Sequence, residues 1–187
     1  MQLLFKSNNT SGDPRLDNAD KKPLFPSDLR PKSAAEHREV WDVIQDAGLR
    51  ENISYQMQYL EFQVQLYNNY QLYLTLESLH LKSMMATIAG IVEAALYALV
   101  RQVSDKAGYV FDERRNYLDL INDAYDMKII DRDLKDDFHL LRKDRNLVHF
   151  RTLDYREYNS YTVDEVNEHL EALNHFIETI QENKLVE

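Results

Sequence analysis

The sequence predicts an all-α fold, an antiparallel bundle of about five to six helices, and three observations carry that prediction. All four prolines (Pro14, Pro23, Pro26 and Pro31) fall within the first 31 residues, so the rest of the chain is free of the residue that breaks helices. After Gly12 only Gly48, Gly90 and Gly108 remain to interrupt it. Apolar residues then recur at steps of three and four, the spacing of one helical face. No repeat of solenoid period is present. With 44% apolar and 29% charged residues, the chain is long enough and apolar enough to bury a core.

Residues 1–32 are polar and rich in breakers, and read as an extended or disordered arm preceding a helical domain over 33–187. Ser33 and Glu36 form a capping box for the first helix, with Val40, Ile44 and Ala47 on one face and Gly48 as its stop. A second helix runs from about 52 into the seventies on the stripe Ile53, Met57, Leu60, Val64 and Tyr67. Leu72, Leu74 and Leu76 alternate as in a strand, but no turn signal isolates them, and they are assigned to helix. A third helix covers about 79–106, with Met85, Ile88, Val92, Leu96, Leu99 and Val103 inward, and Lys106-Ala107-Gly108 turns the chain. A shorter helix over about 112–126 uses Leu118, Ile121 and Tyr125. Asp131 or Asp133 caps the next, whose inner face is Leu134, Phe138, Leu141 and Val148. After a tyrosine-rich loop, Thr162 and Glu165 make a second capping box. The last helix packs through Val166, Leu170, Leu173, Ile177 and Ile180.

Charge and composition narrow the function. The 32 acidic and 22 basic residues give a formal charge of −10, which argues against a general nucleic-acid coat but leaves room for a local basic site. The absence of cysteine removes disulfides, thiolate zinc sites and thiol nucleophiles together. Leu3, Leu4 and Phe5 are too short a run for a signal-peptide core. No stretch approaches ~20 uncharged apolar residues. The expectation is a cytoplasmic protein with no membrane partner.

Most familiar chemistry is missing. There is no glycine-rich phosphate loop, no His-Glu-x-x-His and no calcium-loop pattern. Asp131, Asp133, Asp136 and Asp137, like Glu165, Glu168 and Glu171, read as helix starts and polar faces. Glu36-His37 and Glu168-His169 lack the spacing of a di-metal carboxylate site, so no metal or other cofactor is expected. Tyr55, Tyr59, Tyr67, Tyr70 and Tyr73 sit at helical spacing and read as core packing or a subunit interface rather than base stacking. His80, His139, His169 and His175 read as structural or solvent-facing.

One segment differs, Leu140-Leu141-Arg142-Lys143-Asp144-Arg145-Asn146-Leu147-Val148-His149-Phe150. Arg142, Arg145 and His149 step by three and four, so one helix face carries two guanidiniums and an imidazole. Arg142, Lys143, Arg145 and Arg151 against Asp144 give residues 142–151 a charge of +3 within a chain of −10. The same six-residue gap separates Arg30 from His37 and Arg132 from His139, but only the third instance holds an Arg-Asn pair inside an amphipathic helix. A histidine at a helix end beside arginine also has a purely structural use, pairing with an acidic neighbour such as Asp144 or Glu93.

This segment resembles the signature helix of HEPN domains, helical bundles common in prokaryotic toxins, defence systems and RNA-processing enzymes. Their signature is an arginine, a gap of about four to six residues and a histidine, often with a polar residue such as asparagine directly after the arginine. Met84-Met85-Ala86-Thr87-Ile88-Ala89-Gly90-Ile91-Val92-Glu93-Ala94-Ala95-Leu96 is similar to the helix in which such domains place a glutamate on a small, apolar face. Ile129-Ile130-Asp131 leading into His139-Leu140-Leu141-Arg142 resembles the approach to the signature. The likeness covers about 80–150.

The resemblance implies metal-independent endoribonuclease activity, of the kind found in toxin or defence proteins. The RNA 2′-hydroxyl attacks its own phosphate, His149 moves the proton, Arg142 and Arg145 hold the phosphate, and Asn146 orients His149 or contacts the phosphate. Glu93 and Asp144 are supporting residues, and Lys143 and Arg151 bind the substrate backbone. The implied partners are RNA, a second copy completing a composite cleft, and an antitoxin or regulatory protein. The alternative is a catalytically inactive HEPN-like module that docks a protein or nucleic acid.

Overall fold

The computed structural model of the chain describes residues 30–146 and 161–184, and within them six helices and no strand. These are α1 (Ala34–Val40), α2 (Ala47–Asn69), α3 (Thr75–Lys106), α4 (Tyr117–Asp126), α5 (Arg132–Asn146) and α6 (Val163–Lys184). The all-α bundle read from the sequence is the observed fold. The arm assigned to 1–32 lies outside the described residues except for its last three.

α3 is the axis. Its 32 residues touch α2, α4, α5 and α6, and it buries side chains on several sides, from Leu81 and Met85 to Ile91, Val92, Leu96 and Val100. A helix apolar most of the way round is stable only when surrounded. Its neighbours run antiparallel: Gln63 Nε2 donates to Ser83 Oγ at 2.8 Å and the Tyr67 hydroxyl to Glu77 at 2.8 Å, pairing the end of α2 with the start of α3. α5 and α6 pair likewise, through Phe138 edge-on to Phe176 at 5.2 Å and through Asp144 with His169. Trp41 closes the bundle against Phe176 at 6.2 Å.

By length and composition α3 is apolar enough to cross a bilayer, with an 18-residue window of mean hydropathy 1.7, a property it shares with core helices. Between Lys82 and Arg101 the only charge is Glu93, which the count of uncharged residues treated as an interruption. Within the bundle 61% of that window is buried.

The caps are the sequence's most faithful signals. Ser33 with Glu36 and Thr162 with Glu165 form the expected boxes, and Asp131 Oδ1 accepts from the Leu134 N–H at 2.9 Å to start α5. Gly108, at φ 75, ends α3 where the turn was placed. Leu134, Phe138 and Leu141 are buried as read, while Val148 is outside the described residues.

Four local readings change. α1 ends at Val40, and Gly48 lies in the first turn of α2 instead of stopping α1, because the Asp46 carboxylate accepts from the N–H groups of Gly48 and Leu49 at 3.0 Å each and so starts a helix there. Ala47, read inward, is exposed. α2 stops at Asn69, and residues 70–74 are non-helical: Tyr70 is extended and Leu74 turns the chain at φ 47. The alternation of Leu72 and Leu74 thus marked a connection, with Leu76 already in α3. α4 begins at Tyr117 under an Asn116–Asp119 capping box, which rotates its buried face to Tyr117, Leu120, Ile121 and Ala124 and leaves Leu118 and Tyr125 exposed.

None of the five tyrosines read as core packing or a subunit interface is fully buried. Tyr55, Tyr59, Tyr70 and Tyr73 are exposed, and Tyr67 alone is half-buried, stacked on His80 at 6.3 Å.

Candidate functional site

The basic signature lies at the end of α5, on the flank of α3. Leu134, Phe138 and Leu141 anchor one face of α5 in the core, and this turns Arg142 and Arg145 toward α3 and α4. Arg145 Nη2 donates to Glu93 Oε2 at 3.3 Å, with the two side chains 39% and 33% exposed. Glu93 thereby meets the arginine that precedes Asn146. The pairing uses one of the five guanidinium N–H donors.

Arg142, three residues earlier on the same face, is half-buried, and its Nε has no hydrogen-bond partner among the described residues. Beside it stands Tyr117 of α4, whose hydroxyl is buried and likewise unpartnered among the described residues. Burial holds that phenol above its usual range, the Glu93 charge adds to the effect, and Arg145 and Arg142 oppose it. Tyr117 is therefore a neutral donor beside the arginines. Sequence reading missed it because Leu118 was placed inward. The spacing of Asn116 and Asp119 was the available signal, since a capping box fixes the helix start and with it the buried face.

Asp144 occupies the opposite side of α5. His169 on α6 approaches with Nε2 2.9 Å from Asp144 Oδ2, and because a carboxylate only accepts, Nε2 carries the proton. The Tyr161 hydroxyl donates to the Asp144 carbonyl at 2.8 Å. Asp144 thus ties the end of α5 to α6 and does not face Arg142 and Arg145. His169 is buried rather than solvent-facing, and its signal was its place on the apolar stripe between Val166 and Leu173, where an imidazole needs a partner. Asp137, two turns earlier, has its carboxyl raised by burial, with His169 opposing.

The other site residues fall as follows. Lys143 and Asn146 are exposed at the end of α5. His149 and Arg151 lie outside the described residues. The other two arginine–histidine pairs take separate partners: His37 bonds Glu61 at 3.1 Å, and Arg132 faces Asp136 at 3.9 Å. His139 is half-buried, and burial, with Arg142 and Lys135 adding, lowers its pKa.

Counting Glu93, the basic island falls from +3 to +2. Gly90, one turn before Glu93 on α3, is exposed, and a Cβ there would meet nothing within 4 Å. The surface beside the ion pair is therefore open backbone. Among the described residues no group of three or more histidines and carboxylates converges to hold a metal ion.

The fold and this cluster define an all-α bundle with an arginine-bearing polar edge. Comparison with protein-family models, curated proteins and solved structures finds no match to the chain.

Proposed function

We propose that the chain is a HEPN-like, metal-independent endoribonuclease acting as a homodimer with a composite cleft. The observation that carries this reading is the Glu93–Arg145 pair. It joins the two segments on which the resemblance rests, 84–96 and 140–150, through the residues expected to work together. Glu93 orients one guanidinium while its remaining N–H groups stay available for a phosphate. Arg142 stands alongside as a second guanidinium for the negative charge building on phosphorus. His149 supplies proton transfer, since an imidazole with a pKa near ~6.5 exchanges protons at neutral pH. Asn146, Lys143 and Arg151 contact the RNA backbone, and an antitoxin or regulatory protein covers the cleft when the activity is restrained.

The test is cleavage of end-labelled RNA in excess chelator by the wild type and by His149→Ala. Wild-type fragments ending in 2′,3′-cyclic phosphate, absent with the variant, are expected. Equal cleavage by both, or none over a broad RNA panel, overturns the proposal.

The second reading is a non-catalytic module that docks a partner. It is favoured by six large apolar side chains left exposed on α2, the 70–74 link and the start of α3, Tyr55, Tyr59, Tyr70, Tyr73, Leu76 and Leu79.

A further inference from the structure

Two helices in this bundle end in the same way with different residues. At the end of α3, Tyr109 N–H donates to Ser104 O at 2.9 Å and Gly108 N–H to Asp105 O at 3.1 Å, with Gly108 at φ 75. At the end of α4, Ile129 N–H donates to Ala124 O at 2.8 Å and Lys128 N–H to Tyr125 O at 3.0 Å, with Lys128 at φ 59. Both are Schellman turns, whose left-handed residue is ordinarily glycine because a Cβ is strained there. α3 has the glycine; α4 carries a lysine in the strained position.

Lys128 stands on the rim of a recess of about 430 Å³, a volume within the range of small-molecule sites. Leu99, Val103, Met127 and Ile180 are among its apolar lining residues. The rim is braced: Gln45 N–H donates to Gln102 Oε1 at 3.0 Å, and Gln102 Nε2 donates to the Val43 carbonyl at 3.3 Å. Asp42 and Lys106 also line it with opposite charges, which leaves Lys128 as the excess cation. No ion pair to Lys128 is present among the described residues. None of Arg142, Arg145 or Glu93 lines this recess.

We propose that this recess binds a small amphipathic carboxylate, its apolar body against Leu99, Val103 and Ile180 and its carboxylate at Lys128. The strained backbone at Lys128 is retained because the side chain serves the ligand, and a glycine would end the helix better but carry no charge. The site is independent of the ribonuclease reading.

The experiment titrates the full chain with octanoate and, separately, with the uncharged 1-octanol. It follows the fluorescence of Trp41, the single tryptophan, which directly precedes Asp42 in the rim. Octanoate is expected to bind the wild type at least about tenfold more tightly than octanol, a difference of ~1.4 kcal/mol. Lys128→Gly is expected to lose that preference while its thermal midpoint rises by about 2–4 °C. Lys128→Gln, which keeps the strained side chain but not the charge, is expected to lose the preference without the rise. No octanoate binding by the wild type, equal affinity for octanol, or full octanoate affinity in either variant overturns the proposal.

Discussion

Asp144 and His169 face each other across 2.9 Å, joining the last turn of α5 to the second turn of α6 from a position where the imidazole is only 6% exposed. The residue that looked like a supporting group for the arginines instead anchors the helix that presents them. Its Oδ2 takes His169 and its carbonyl takes the Tyr161 hydroxyl, so Asp144 is engaged with α6 and with Tyr161 just before it, and not with Arg142 or Arg145.

His169→Ala strands a half-buried carboxylate and is expected to cost ~1–3 kcal/mol in urea denaturation. Far-UV circular dichroism should show the helices intact at low denaturant. A loss below about 0.5 kcal/mol would mean that the pair contributes nothing beyond a surface bridge.

Tyr117→Phe removes a buried hydroxyl that has no partner among the described residues, and folding stability is expected to hold or rise by up to ~1 kcal/mol. A stability loss above about 1 kcal/mol would instead assign the hydroxyl a protein partner.

Gly90→Ala fills open space on an exposed face in the interior of α3. Replacing glycine there is expected to stabilise the fold by about 0.5–1 kcal/mol, read as a higher denaturation midpoint with unchanged slope. A destabilised variant would show that another surface lies against Gly90.

His139 supplies a pH dependence. Burial, with Arg142 and Lys135 adding, lowers its pKa in the fold below the ordinary value near 6.5. Below that pH the unfolded chain takes up a proton that the folded chain resists, so the stabilising contribution is full above about 6.5 and is lost as the pH falls. His139→Gln is expected to flatten the decline in melting temperature between about pH 6.5 and 5. An unchanged slope would place the titration elsewhere.

The features legible in the sequence were those written over three or four residues. The capping boxes at Ser33 and Thr162, the Asp131 cap and the stripe Leu134–Phe138–Leu141 all reappear, because each is decided by local geometry. The Gly48 stop failed because glycine is compatible with either helix end and Asp46 decided which. The α4 face failed by a single residue, and with it went Tyr117. At the site, the i, i+3 spacing of Arg142 and Arg145 was readable. Which acid meets which base was not: Glu93 is 52 positions from Arg145 and Asp144 is 25 from His169, separations that only packing brings together.

The link between α2 and α3 has a consequence of its own. Leu74 is 80% exposed at φ 47, while the two helices are already clasped by Gln63–Ser83 and Tyr67–Glu77. Severing the chain between Tyr70 and Leu74 would release the twist stored at Leu74 and break none of these clasps. Two separately produced fragments divided there are expected to reassemble on mixing, read as recovery of the intact chain's far-UV circular dichroism and thermal midpoint.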